Sequence, residues 1–209
     1  MEKDNLAPVT SLTAIKIVDA AAKLFMQRGY RAVSINDIIK AAEITKPTLY
    51  YYFPDKEELF VQMGLRVLNQ MGEQLCLTIA NAPDTKGKLV ALATMLMGHR
   101  DDDMRMVRHE MGQHLGPSQR PRVGQAFYAN LFAPIHAVIE QGLADNELVG
   151  YNSSTLTTMF LSMCEAFHEF GPGAQTDHWQ GDAGSPFTNL TISGQTLVDL
   201  FLNGVAGKQ

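Results

Sequence analysis

The sequence predicts an all-α protein: a small N-terminal three-helix unit followed by a larger helical domain, with about nine helices in total. Three observations carry this reading. Apolar residues recur at helical spacing over most of the chain, capping residues stand where that spacing begins, and Gly-, Pro- and Asn-rich breaks stand where it ends. Nothing reads as a run of strands; Val149-Gly150-Tyr151 is too short to count. There is no internal repeat.

Ser11 is placed to cap a first helix in which Ile15, Val18, Ala22 and Phe25 repeat on one face, and Gly29 is placed to end it in a left-handed conformation. Ser34 opens a second helix, with Asp37 three residues on in an acidic form of the capping box; Ile35, Ile38, Ile39 and Ala42 are its packing face. After a break at Glu43-Ile44, Thr45 caps a third helix through Tyr51. Pro47 is tolerated there because first-turn amides lack helical partners anyway. Pro54 stops that helix, and Asp55 with Glu58 caps a long fourth helix running to about Ala80. Further helical patterns cover roughly 86–99, 101–115, 120–145, 153–170 and 194–206. Breaks fall at Gly116-Pro117, Asp145-Asn146 and Gly171-Pro172-Gly173, and the stretch 171–188 reads as a long loop.

The chain has 209 residues, 45% of them hydrophobic and 19% charged, which is enough for one ordinary domain or a small domain fused to a larger one. No window approaches the roughly 18 apolar residues of a membrane span. The opening MEKDNLAPVT lacks the basic-then-apolar start of a secretory signal. Cys76 and Cys164 lie far apart in patterns that read as buried helix, and a cytoplasmic, reducing compartment is expected. The net charge of −5 divides unevenly: residues 1–60 hold 8 Lys/Arg and 8 Asp/Glu, whereas residues 61–209 hold 9 and 14. The acidity therefore belongs to the C-terminal part, and the N-terminal part is neutral.

Two short helices joined by a tight turn and preceded by a third form the arrangement of a helix-turn-helix that reads DNA. Its second helix must bring short hydrogen-bonding side chains to base edges while its flanks touch phosphate. Thr45 and Thr48 are such side chains, Lys46 is a cation at the leading edge, and Pro47 completes the first turn. Tyr50 and Tyr51 are amphipathic rings suited to sugar and phosphate. Lys56 opens the next helix, where its charge and the helix amides favour a backbone phosphate.

The ordered run from Ser34-Ile35-Asn36-Asp37 through Thr45-Lys46-Pro47-Thr48-Leu49-Tyr50-Tyr51-Tyr52-Phe53 to Asp55-Lys56-Glu57-Glu58-Leu59 resembles the DNA-binding signature of TetR-type regulators. Ala20-Ala21-Ala22-Lys23-Leu24-Phe25-Met26-Gln27-Arg28-Gly29-Tyr30 is similar to that family's first helix, and the resemblance covers about residues 11–60. It implies a DNA-binding domain at 1–54 and a helical effector-binding and dimerisation domain at 55–209. It implies further a homodimer joined through the last two helices, double-stranded operator DNA and a small-molecule effector as partners, and repression as the default mode. By the same resemblance, Ser34 touches phosphate, Thr45, Lys46, Thr48 and Tyr50 face the groove, Tyr51 and Lys56 meet the backbone, and Leu49 and Phe53 pack the head's core. Two positions depart from the pattern. Glu43 stands where the family usually has glycine in the turn, losing the free left-handed conformation and setting a negative charge near the DNA. Ile39 stands where alanine is common, which favours slightly wider helix packing.

The sensing site is less marked. Of eleven methionines, Met95, Met97, Met104, Met106 and Met111 fall in the middle helices and Met159 and Met163 in a later one. Flexible thioethers fill irregular core, and they also line adaptable apolar pockets. Met97, Met104, Phe127, Leu131, Met163 and Phe167 are the candidate lining, with Arg108 or His109 as a polar anchor for a mostly apolar effector. Glu110 and His114, four apart on one face, have the spacing to share a metal, yet no Cys joins them and a structural site wants about four ligands; no metal or cofactor is expected. His168, near Glu165 and Glu169, is equally a core histidine.

A metal- or redox-responsive regulator on the same scaffold is the nearest alternative, and an enzyme a more distant one. GxSxG, the P-loop, HExxH and a GxGxxG after a strand are all missing, and no catalytic residues are assigned. His99-Arg100-Asp101 has the letters of a kinase catalytic loop, but no glycine-rich loop or Asp-Phe-Gly accompanies it.

Overall fold

The computed structural model describes residues 11–98, 111–170 and 192–204. Their regular elements are all helical: α1 (Leu12–Ala32), α2 (Ile35–Ala42), α3 (Lys46–Tyr52), α4 (Lys56–Ala80), α5 (Thr85–Gly98), α6 (Arg120–Phe127), α7 (Ala133–Ala144), α8 (Ser153–Phe170) and α9 (Gly194–Asn203). A π-helical turn, Tyr128–Phe132, joins α6 to α7, and residues 111–114 form a further helical turn. The predicted all-α class is the observed one. The predicted helix over 101–115 and the predicted loop over 171–188 lie mostly outside the described residues.

Local chemistry places the helix starts where the caps predict them. The hydroxyl of Ser11 accepts from the Ala14 amide, that of Ser34 from Asp37, that of Thr45 from Thr48, and the Asp55 carboxylate from Glu58. Each bond satisfies one of the amides that a helix start leaves without an internal partner. Gly29 has φ 75° and ψ 160°, a conformation open essentially to glycine, and it kinks α1 there before one last turn ends at Val33. In α1 the buried face is Ala14, Ile17, Val18, Ala21, Leu24 and Phe25, so the face is rotated from the predicted one: Ile15 and Ala22 lie at its half-buried margin. The π turn has a local cause. Pro134 has no amide to donate to the carbonyl four residues back, and its ring would strike that carbonyl, so the helix widens where an α register would clash.

The described residues group into two compact units. The first takes residues 11–70 and 111–128. Its core gathers the α1 face with Ile38 and Ala42 of α2, Leu49 of α3, Phe53, Leu59, Phe60 and Met63, and adds Met111 and Leu115. Phe25 and Phe60 meet edge to face with centroids 5.2 Å apart. The second unit takes residues 71–98, 129–170 and 192–204. Here α5 lies against α7, α8 and α9, and the core runs from Leu75 through Leu89, Leu92, Ile135, Ile139, Leu156 and Phe160 to Leu197 and Val198. Cys164 is buried in this core, and burial pushes its thiol up to about 12. Cys76, expected to be buried, is exposed on α4: it falls on a face that the core does not cover.

At the start of α9, Gly194 lies directly on α5. A methyl group there would stand 2.7 Å from the Thr94 amide nitrogen and 2.9 Å from the Val90 carbonyl oxygen, and would press on the Thr94 hydroxyl as well. Backbone atoms cannot turn aside as a side chain can. Gly194→Ala is therefore expected to destabilise the protein by about 1–3 kcal/mol through overpacking. The check is the urea midpoint, where a value equal to the parent's would mean that α9 is not seated this closely.

Candidate nucleic-acid interface

α2 and α3 are eight and seven residues long. Isolated helices of that length are marginal in water, so their persistence depends on packing and caps. α2 has a complete capping box: the Asp37 amide donates to the Ser34 hydroxyl at 3.2 Å, and the Ser34 amide donates to the Asp37 carboxylate at 2.9 Å. The Ser34 hydroxyl also donates to that carboxylate, and this bond, then the one from the Ser34 amide, holds the Asp37 carboxyl below the usual carboxylate range. Ser34 is thus exposed at the helix start but engaged within it.

The turn between α2 and α3 is left-handed. Glu43 has φ 51° and ψ 48°, and its amide donates back to the Ile39 and Lys40 carbonyls. Glutamate therefore adopts the conformation that glycine would take freely. Its carboxylate pairs with Lys16 at 3.2 Å, between side chains 51% (Lys16) and 82% (Glu43) exposed, an arrangement worth little in water. Ile39, the other departure, is half-buried against the first core.

α3 divides cleanly between inside and outside. Leu49 and Phe53 are fully buried. Thr45, Lys46, Pro47, Tyr50 and Tyr51 are exposed, and Thr48 is half-buried with its hydroxyl 2.7 Å from that of Thr45. Seven of the eight candidate DNA-contacting residues therefore lie in or immediately before α2 and α3, six of them exposed. The eighth, Lys56, opens α4, and its ammonium lies 4.2 Å from the centre of the Tyr30 ring and 6.0 Å from that of Phe25. Tyr30 also stacks on His114, with centroids 5.2 Å apart and planes 23° apart. Burial, then the negative charges of Glu57 and Asp55, raises the Tyr30 hydroxyl above its ordinary pKa and keeps it neutral. The first turn of α4 is held besides by Glu57, which accepts from the Gly116 amide at 2.8 Å, and by Glu58, whose oxygens take Arg122 at 2.8 and 2.9 Å. Sequence reasoning missed the roles of Tyr30 and Arg122. No spacing rule joins residues so far apart in the chain.

Of the candidate effector residues, Met97, Leu131, Met163 and Phe167 come together in or against the second core, with Met71 and Met95 nearby. Phe127 is elsewhere, 40% exposed in the first unit. Met104, Arg108 and His109, like Glu110 of the considered metal pair, lie outside the described residues, as does the side chain of His168. Among the described residues no group of three or more His, Cys, Asp and Glu is placed to hold a metal ion.

The described helices present a capped α3 outward from a three-helix head, the arrangement of a helix-turn-helix DNA-binding unit. Residues 17–63 match the model of the bacterial regulatory proteins of the tetR family. An uncharacterised HTH-type transcriptional regulator of Mycobacterium tuberculosis is 35% identical over 94 residues, which are 44% of this chain and 46% of that protein. The HTH-type transcriptional regulator EthR of the same species is 35% identical over 71 residues, 34% of this chain and 33% of EthR. The match thus spans less than half the length of these curated relatives. The fold agreement is longer: the transcriptional regulator FadR of Bacillus subtilis, solved in complex with stearoyl-CoA, superposes with a TM-score of 0.70 at 17% identity, covering 92% of this chain and 99% of that one.

Replacing Glu43 tests the strained turn. Glu43→Gly relieves about 1–2 kcal/mol of left-handed strain but adds about 0.4–1 kcal/mol of unfolded-state entropy, for a net gain near 0.5 kcal/mol. Chemical denaturation of the two proteins side by side measures it; a loss of stability would mean that the Lys16 pair outweighs the backbone.

Proposed function

We propose that the chain is a ligand-responsive repressor that grips double-stranded operator DNA through α2 and α3 and lets go when a small, largely apolar effector binds. The observation that carries this reading is the division of α3, which buries Leu49 and Phe53 and turns Thr45, Lys46, Pro47, Tyr50 and Tyr51 outward. In this reading residues 1–54 are the DNA-binding domain and 55–209 the effector-binding and dimerisation domain. Thr45, Lys46, Thr48 and Tyr50 read the groove, Pro47 shapes the leading turn, and Ser34, Tyr51 and Lys56 position the backbone. The working form is a cytoplasmic homodimer joined through α8 and α9, as the family resemblance implies.

The effector reading rests on the second core, where Met97, Met163 and Phe167 are half-buried beside the buried Leu131 and thioethers can repack around a guest. The stearoyl-CoA held by the FadR structure is consistent with an acyl chain as that guest. Thiol sensing has less support, since the Cys164 thiol is buried and protonated.

Fluorescence anisotropy with DNA from upstream of the protein's own gene tests the first half. Thr48→Ala is expected to lower the affinity for a specific site by roughly 1–3 kcal/mol, whereas Lys56→Ala weakens binding to every sequence alike and flattens the salt dependence. Equal, sequence-independent losses from both would refute the division of roles, and no binding by the parent protein would refute the reading itself.

For the second half, a long-chain fatty acid and stearoyl-CoA are expected to raise the melting temperature in proportion to the logarithm of their excess over Kd, and to release bound DNA. Sugars and amino acids are expected to do neither. A response to polar ligands alone would overturn the apolar effector.

A further inference from the structure

Lys56 is the one candidate phosphate contact whose charged group turns toward the head's own aromatic cluster. Its ammonium stands over Tyr30 at 4.2 Å and within 6.0 Å of the fully buried Phe25. Tyr30 in turn packs on Phe60, centroids 4.7 Å apart, and on His114 at 5.2 Å. An ammonium over an aromatic face is attracted by the ring's negative π cloud. With its ammonium over the ring, the Lys56 side chain is half-buried rather than extended into solvent. The backbone of Lys56 has little freedom to compensate, because the next two residues are tied to Gly116 and Arg122.

We propose that the Tyr30 ring, steadied by His114, is a resting place that withdraws the Lys56 ammonium from DNA, so that Lys56 moves from ring to phosphate on binding. The proposal rests on the DNA-binding reading above and adds to it a cost that the protein imposes on its own phosphate contact. His114 acts here as a positioning residue: it touches Tyr30, and it belongs to the helical turn 111–114, a segment distant in sequence from the head helices. Movement of that turn would free or hold the ring, and with it the cation.

The resting position has a spectroscopic signature independent of DNA affinity. Protons above an aromatic ring are shifted upfield, so the Lys56 ε-methylene, identified by its loss in Lys56→Arg, is expected upfield of the other lysines in the DNA-free protein. Tyr30→Leu should return it to the ordinary position, Tyr30→Phe should leave it largely shifted, and His114→Leu should diminish it with partial recovery in His114→Phe. Adding a random-sequence duplex at low salt should abolish the shift in the parent protein, since phosphate contacts are independent of sequence. In anisotropy, Tyr30→Leu is expected to bind that duplex about fivefold more tightly. Lys56→Ala should cost more affinity in the Tyr30→Leu background than in the parent. An unshifted ε-methylene in the DNA-free protein, or a shift that survives saturation with bound duplex, would overturn the proposal while leaving the DNA reading intact. If neither the random duplex nor the protein's own upstream DNA binds, the DNA reading falls and takes the proposal with it.

Discussion

A helix of seven residues does not hold its shape in water, because nucleating it fixes several dihedrals for very few hydrogen bonds. The burial of Leu49 and Phe53 supplies what α3 lacks. Two fully buried side chains, each worth about 1.5–3 kcal/mol of transfer free energy, pin α3 to α1 and α2 by one face and leave the opposite face outward. The rest of the head serves this constraint. Phe25 and Phe60 fill the space beneath, the Thr45 cap satisfies a first-turn amide, and Phe53 donates its amide back to Leu49 as the helix closes. Without that wedge Thr45, Lys46 and Tyr50 would belong to a flexible polar strip with no fixed spacing.

The left-handed turn before α3 shows how strongly the packing dictates backbone. Glu43 pays the steric cost of a conformation that suits glycine, because Ala42 on one side and Leu49 on the other are both committed to the core. The position would be strained for any side chain, and its occupant is tolerated because the core outweighs the strain. The Lys16 pair across the turn keeps the added negative charge partly neutralised.

The two units solve different problems with the same helical material. The head is cap-rich and aromatic at its centre, which suits a small body that must keep one helix in register. The second unit is built on long helices and flexible side chains, with α5 enclosed by α7, α8 and α9 and methionines along the margin of its core. Thioethers at that margin can rearrange at small cost. A rigid, aromatic centre in one unit and a compliant, methionine-rich margin in the other is a division visible in the residue types themselves.

The helix starts at Ser11, Ser34, Thr45 and Asp55, the break at Gly29 and the all-α class were legible in the sequence alone. All of them follow from interactions within about four residues, where side-chain and backbone hydrogen bonds are local. The predicted α1 face was off by part of a turn, because several apolar residues on α1 compete for the core and only the partners in α2 and α4 choose among them. Cys76 was misjudged for the same reason, since periodicity marks an apolar stripe without saying how wide a face the neighbours cover. The π turn at Tyr128–Phe132 was not legible, because Pro134 inside a continuing helical pattern does not say whether the helix kinks or widens there. What the tertiary structure alone decided is the environment of Lys56: its charge at a helix start is plain from the chain, and only folding brought Tyr30 beneath it and His114 onto Tyr30. Residues 26 and 58 positions away cannot announce such a contact, because the force that joins them acts through space and leaves no period in the chain.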